Sequence, residues 1–443
     1  MSLDRAQPLA QPVTSKEQLL AFFRDAEKPT VQHLVGLEHE KFVYPVGSAA
    51  PVPYQGDRGI GVLLKSLEVR GYSPFREADD LPVIALTRGR STISLEPGGQ
   101  LELSGAPART AQEVHRENLQ HLAEVKEASA SLGLRLIALG YRPVGVTSQM
   151  PWMPKSRYEA MRETLSKRGT LALDMMLMTA TGQVSFDWST EEDCGRKVCA
   201  VARLAPLMVA LFANSPLARG RPSGFLSYRS HVWTDVDPKR CGYLPSMLDG
   251  TFSYASYVDW ALAAPLLFLR REGQYLRPEM TFQHLLKDGF EGEPAVLSDW
   301  VDHLSTLFPE VRIKKVIEIR GADCVSAALT GALAALWRGI LYQKAALEEA
   351  ERLLPRLTFA EHLDFHHRAG KFGMHSKLKN LDFPRLAQEL VEIAARGLKQ
   401  QEGDDASLLE PLAELAAAGR SPADHLLDTW GGNASRALDA SEL

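Results

Sequence analysis

From Leu34 to Tyr44 apolar and polar residues alternate and the run ends in β-formers, the period-2 signature of a strand with one buried face. The same signature returns at Val83–Leu86, Ser91–Glu96 and Leu101–Ser104, and Pro97-Gly98-Gly99-Gln100 supplies a turn between the last two. These segments predict an antiparallel meander. Leu134–Tyr141 is an apolar strand candidate, Thr179–Asp187 alternates again, and Val311–Arg320 predicts one further strand. Helical periodicity fills the intervals at Gly61–Val69, Ala111–Ser131, Lys155–Lys167 and Cys194–Asn214. Thr14 and Glu17 have the spacing of a capping box and predict a helix through about Arg24. Beyond Ala327 nearly everything is helical, with starts such as Ser421-Pro422-Ala423-Asp424, where Ser caps, Pro occupies the first helical position and Asp suits the dipole. Hairpin strands segregated from long helices predict an α+β fold, not a doubly wound sheet of βαβ units.

Composition narrows the function classes. Apolar residues at 45% and charged residues at 24% are the proportions of a globular chain, and 443 residues leave room for two or three domains on length alone. No repeat or low-complexity linker marks a cut. A formal charge of -5 gives no basic field for nucleic acid or anionic membrane, and no apolar run approaches the ~20 residues of a spanning helix. Met1 to Pro12 lacks the apolar core of a secretory signal, so residues 1–12 are expected to be disordered and the protein to stay in the cytoplasm. Cys194, Cys199, Cys241 and Cys324 form no CxxC pair, which predicts free thiols and no structural zinc. Gly370-Lys371 is followed by Phe372, Gly59 and Gly61 lack a third glycine, His39-Glu40 has no second His in register, and GxSxG is absent. Signatures of phosphate loops, dinucleotide folds, metalloproteases and serine hydrolases are therefore missing.

The candidate chemistry lies in glutamates on strands. Glu38 and Glu40 share one face of their strand, with Leu37 and His39 on the other. Ser94 and Glu96 share a face, as do Glu102 and Ser104, and leucines at 95, 101 and 103 lie opposite. Glu318 and Arg320 likewise oppose Ile317 and Ile319. Carboxylates gathered in one place repel and are driven toward protonation unless cations compensate, and Mg²⁺ shared with phosphate oxygens is a simple solution. A sheet with one solvated face accounts for the same alternation. Lys155, Arg157 and Arg162 cluster at a helix start, and Arg229 and His231 sit among aromatics in Leu226–Asp235. Arginine suits a bidentate grip on carboxylate or phosphate, although for any single Arg here a solvated surface role is the better fit, and a lone His231 is more often a structural histidine than a base.

Gly36–Phe42, Ile93–Gly105, Met153–Tyr158, Gly169–Met176, Leu211–Pro216, Arg229–Asp235, Phe308–Arg312, Glu318–Asp323 and Ser421–Asp424 together resemble, in collinear order, the plant-type glutamate–cysteine ligases also found in proteobacteria. The resemblance implies a glutamine synthetase-like α+β fold, a curved antiparallel sheet cradle covered by helices. It implies one catalytic domain over 1–443, with residues 340–443 a helical part packed on it, working as a monomer or homodimer. ATP would phosphorylate the γ-carboxylate of L-glutamate, and the amine of L-cysteine would displace the phosphate, the first step of glutathione biosynthesis. By match to the family, Glu38, Glu40, Glu96, Glu102, Glu318 and Gln183 would hold two or three Mg²⁺ ions. Arg229 would grip the glutamate carboxylate beside Thr179 and Thr181, while Lys155, Arg157, Arg162 and Arg320 would meet phosphate; Arg229 and Arg320 are the catalytic candidates. One departure stands out. Where the family has Gly-Ala-Asp-Gly-Gly-Pro-Trp, this chain has Gly321-Ala322-Asp323-Cys324-Val325-Ser326-Ala327, which implies a reshaped acceptor side and leaves a γ-glutamyl ligase with another amine as the alternative. The cysteines also do not reproduce the regulatory disulfide pairs of the plant enzymes.

Overall fold

The computed structural model describes residues 10–443. Nine strands form its main sheet: β1 (Val35–Pro45), β2 (Ser73–Phe75), β3 (Ala85–Arg88), β4 (Ser91–Leu95), β5 (Leu101–Ser104), β6 (Leu134–Ile137), β7 (Gly182–Phe186), β8 (Val311–Ile313) and β9 (Ile317–Ile319). Their order is β8-β9-β7-β1-β5-β4-β3-β2, with β6 on the end of β1, and every pairing is antiparallel. The 11-residue β1 is the spine: its start pairs with β7, its middle with β5 and its end with β6. The α+β class expected from the pattern is the class observed. No helix among the described residues is long and apolar enough to cross a membrane.

Alternation decides which face is covered. Val35, Leu37, Val184, Phe186, Ile317 and Ile319 pack with side chains of α2 (Glu191–Leu211) and α4 (Ala327–Leu341), including Val198, Leu207, Leu333 and Trp337. Ile93, Leu95 and Leu101 pack with Leu122 and Val125 of α1 (Ala111–Ser131). Each such side chain contributes roughly 1.5–3 kcal/mol when fully buried, so a one-residue slip that turned this set toward the polar face would be prohibitive. His39 and Lys41 are the exceptions on the covered face. Both are fully buried, and α1 supplies their partners: His39 Nδ1 lies 3.2 Å from Asn118 Oδ1, and Lys41 Nζ lies 2.8 Å from His121 Nε2. Burial, reinforced for His39 by Lys41, brings His39 down to about 3, and burial brings Lys41 down to about 7.

Three expectations are corrected. The first helix (Lys16–Arg24) is capped one residue later than predicted, by Ser15 with Gln18 in place of Thr14 with Glu17, because the Gln18 Oε1 accepts the Ser15 N–H at 3.1 Å. The expectation of disorder over residues 1–12 lies mostly outside the described residues, and within them it is not met: Leu297 N–H donates to the Gln11 carbonyl at 2.9 Å and Pro12 bridges Val296. Val311–Arg320 is not one strand but the hairpin β8–β9, closed by Lys314 N–H to the Val316 carbonyl at 3.1 Å. A straight strand would separate residues 312 and 318 by ~20 Å at about 3.3 Å per residue. The hairpin instead sets Arg312 opposite Glu318 and pairs their charges.

Candidate active site

Residues directly opposite across an antiparallel ladder project to the same side. One row therefore runs Gln183–Glu38–Ser104–Thr92 across β7, β1, β5 and β4, and the next runs Glu40–Glu102–Ser94 across β1, β5 and β4. Glu318 faces Ser185 on β7 and Arg312 on β8. Glu96 follows β4 in a tight turn, where its N–H donates to the Gln100 carbonyl and its carbonyl accepts from Gly99 N–H, both at 2.9 Å. Gly99 has φ +84°, a conformation a side chain disfavours. Gln100 Nε2 then donates to the Thr179 carbonyl at 2.7 Å, which ties this turn to the segment entering β7.

The carboxylates make their own electrostatic problem. Glu40 and Glu102 are buried and Glu96 is half-buried. Burial, with Glu96 and Glu102 adding repulsion, raises the Glu40 carboxyl well above the usual carboxylate range, against the pull of Arg229 and the Thr181 N–H. Burial and Glu102 push Glu96 up to about 7. Partial relief comes from protein donors: Thr181 N–H reaches Glu40 Oε2 at 2.9 Å, and the Ser104 hydroxyl donates to Glu102 at 2.5 Å while lying 3.4 Å from Glu38. Glu318 is satisfied differently. Burial alone would raise its carboxyl, but Arg312, Lys314 and Arg320 outweigh it and hold Glu318 well below the usual range. Lys314 Nζ stands 2.5 Å from Oε1, and Arg312 Nε binds Oε2.

These donors suit a hard divalent ion, which takes oxygen ligands and neutralises repelling carboxylates. Among the described residues no group of three or more His, Cys, Asp or Glu side chains converges closely enough to hold one as they stand. Oxygens of Glu38, Glu40, Glu102 and Glu318 are engaged with Thr181, Ser104, Arg312 and Lys314.

The cations divide into three groups. Arg229 is buried in α3 (Tyr228–Trp233) and makes no ion pair among the described residues; its Nη2 donates to the Arg320 carbonyl at 2.9 Å and its Nη1 to the Gly321 carbonyl at 3.4 Å. Arg320 donates from Nη1 to Gln183 Oε1 at 2.8 Å and also lacks a carboxylate partner within ion-pair distance among the described residues. Burial and the neighbouring Arg312 bring Arg320 down to about 10. Trp233 lies under both guanidinia, at 5.9 Å and 5.8 Å from ring centre to Cζ. Lys155 is buried, donates to the Leu95 carbonyl at 2.5 Å, and draws on the charges of Glu96 and Glu102 against the burial that lowers its ammonium. Arg157 lies over Phe268, and Arg162 is exposed over Trp152. Thr179 and Thr181 turn their hydroxyls to carbonyls of Met175 and Ala322, both at 2.6 Å, so the Thr181 contact with the carboxylates runs through its backbone.

Sequence reasoning gave no site role to Arg312, Lys314, Ser104, Trp233 or Asp323. The six-residue spacing from Arg312 to Glu318 around Lys314-Lys315 could have suggested a charged hairpin. Asp323 entered only as the end of the Gly321-Ala322-Asp323 run, with no role attached.

The family model described as glutamate-cysteine ligase family 2 (GCS2) matches residues 34–440. The chloroplastic glutamate–cysteine ligase of Medicago truncatula is 37% identical over 434 residues, spanning 97% of this chain and 84% of that protein. That of Arabidopsis thaliana is also 37% identical over 434 residues, covering 97% and 82%. Among solved structures, a glutamate–cysteine ligase from Francisella tularensis in complex with AMP aligns with a TM-score of 0.58 at 13% identity, covering 92% of this chain and 87% of that one, a likeness of fold.

Proposed function

Since the chain belongs to glutamate-cysteine ligase family 2, we propose that its sheet face joins the γ-carboxylate of L-glutamate to the amine of L-cysteine, consuming ATP and releasing γ-glutamylcysteine, ADP and phosphate. One observation carries the assignment of the site: Arg229 and Arg320, neither ion-paired among the described residues, stand beside a bank of mutually repelling carboxylates. Unspent guanidinium charge meets an anionic substrate; Glu40 and Glu96, pushed toward protonation by burial and their neighbouring carboxylates, meet a cation.

Arg229 holds the glutamate carboxylate, pre-oriented by the two carbonyls it already serves. Arg320 and Lys155 flank the phosphoryl group in transfer. Attack of the γ-carboxylate oxygen on the terminal phosphorus of ATP expels ADP. Attack of the neutral amine on the acyl carbon then forms the amide bond and breaks the bond to phosphate, the nitrogen passing its extra proton to the departing phosphate or to water. Both steps bring anions together, so holding the reactants in line is most of the catalysis. Glu38, Glu40, Glu96, Glu102, Glu318 and Gln183 are the residues that would hold Mg²⁺, which supplies charge neutralisation on phosphate oxygens. The residues act as one catalytic unit, with the helices after residue 340 packed against it.

A second reading keeps the chemistry and changes the amine. It is favoured by Ala327, half-buried at the first position of α4, where the family motif has tryptophan. ADP release measured with L-glutamate, Mg²⁺ and a panel of amines separates the two: stimulation by cysteine above all others supports the first, stimulation by another amine the second. If no amine raises turnover above the glutamate-only background, both fail.

A further inference from the structure

We propose that Asp323 is a positioning residue that fixes Arg229 relative to Arg320, so that the glutamate carboxylate meets a preset guanidinium. This rests on the reading of Arg229 as the glutamate anchor.

Asp323 follows Arg320 by three residues and is almost wholly buried. It accepts three hydrogen bonds from two other segments: at Oδ2 from Asn214 N–H (2.8 Å) and the Ser215 hydroxyl (2.6 Å), and at Oδ1 from the Ser227 hydroxyl (2.8 Å). Each hydroxyl then does a second job. Ser215 Oγ accepts Arg229 N–H at 3.1 Å, and Ser227 Oγ, the N-cap of α3, accepts Ser230 N–H at 3.1 Å. A hydroxyl has one proton, so donation to Asp323 leaves its lone pairs for the helix. One carboxylate therefore orients both acceptors at the start of the helix that carries Arg229.

The circuit closes through the substrate arginine. The Arg229 guanidinium returns to the carbonyls of Arg320 and Gly321, in the segment that bears Asp323. Six-residue α3 is too short to be stable alone, so its orientation depends on these ties. The space for Asp323 is conditional: a Cβ at Gly140 would sit 2.4 Å from the Asp323 Cγ. A further tie comes from α5 (Phe359–Phe372), whose Gly370 carbonyl accepts Leu226 N–H at 3.0 Å and Ser227 N–H at 2.8 Å.

Asparagine at 323 keeps the volume but turns an NH₂ group toward one of these donors. Either Ser227 or Ser215 must reorient, and the helix start loses an acceptor. The test is initial-rate kinetics of the full-length protein carrying Asp323→Asn, Ser227→Ala, Ser227→Thr or Arg229→Ala, varying L-glutamate and ATP separately. Asp323→Asn and Ser227→Ala are expected to raise the glutamate KM roughly 10-fold with the ATP KM held within about 2-fold, and Ser227→Thr, which keeps the hydroxyl, to stay near the parent. A parallel rise of both KM values, or a fall in kcat alone, overturns the proposal, because a merely structural residue would produce it. Should Asp323→Asn fail to fold, the Ser227 pair decides. If Arg229→Ala raises the glutamate KM while the Asp323 and Ser227 variants do not, the brace is wrong and the anchor stands. An unchanged glutamate KM in Arg229→Ala removes the anchor itself and the brace with it.

Discussion

Replacing Arg229 tests the substrate reading most directly. Its guanidinium is buried, two of its N–H groups serve the Arg320 and Gly321 carbonyls, and it forms no ion pair among the described residues. If the remaining N–H groups fork onto the glutamate carboxylate, Arg229→Ala removes two charge-assisted hydrogen bonds at about 1.5 kcal/mol each, some 3 kcal/mol in all. At about 1.4 kcal/mol per decade, the glutamate KM rises roughly 150-fold. The same change strands two carbonyls, so stability falls by about 2 kcal/mol, and the kinetics must be read on protein shown to be folded by circular dichroism. Arg229→Lys keeps the charge but loses the fork, and an intermediate rise of about 10-fold is expected. Phosphate release at saturating ATP and amine gives both values. A folded Arg229→Ala variant whose glutamate KM matches the parent, or whose ATP KM rises instead, refutes the assignment.

Glu318→Gln leaves Arg312 and Lys314 facing a neutral amide; a loss of about 3–5 kcal/mol in urea denaturation should accompany the loss of turnover, and an unchanged midpoint would show that this cluster contributes no charge pairing. Glu96 titrates near 7 in the fold against an ordinary value of 4.5, so between these pH values the unfolded chain ionises it while the fold keeps the proton. With metal chelated, wild type should therefore lose stability relative to Glu96→Gln as pH rises from 4.5 to 7, by at most about 3 kcal/mol, and excess Mg²⁺ should erase the difference; a gap that shrinks with rising pH would contradict this. Ala327→Trp should alter the amine KM and leave the glutamate KM in place, and an unaltered amine dependence would remove this segment from the acceptor side.

Alternation made much of the sheet face legible because the neighbours of Glu102 and Glu318 on the opposite face are apolar and bury themselves. Leu95, Leu101 and Leu103 could only point into the core, which sent Glu102 to the other side. Pairing was not legible. That Glu40 faces Glu102, or that Gln183 and Glu38 share a row, depends on strand order, which no local pattern encodes. The hairpin at Lys314-Lys315 was missed because alternation continues through it, and opposite-charge pairing across the turn settled what periodicity left open. Alternation puts His39 with Leu37 on the face opposite the glutamates, and Lys41 continues that face, but nothing in the pattern supplies partners for two polar side chains there. They are buried only because Asn118 and His121, about eighty positions away in the chain, come to meet them.

The departure from the family motif after Asp323 divides into two parts with different consequences. Cys324 and Val325 are both fully buried behind β1. The Cys324 thiol donates to the Glu40 carbonyl at 2.9 Å, and the Val325 carbonyl lies 3.0 Å from His39 Nε2. Two side chains therefore fill space where the family motif has glycines, and they do so against the strand that presents Glu38 and Glu40. Burial pushes the Cys324 thiol far up, which keeps it protonated, a donor and not a nucleophile. Only Ser326, Ala327 and Ala328 reach the surface. Ser326 accepts Leu329 N–H at 3.4 Å as the N-cap of α4, a role proline could not perform. The cap and core positions thus have structural explanations internal to this chain. What is left to bear on the choice of amine is one half-buried alanine in the place of an indole.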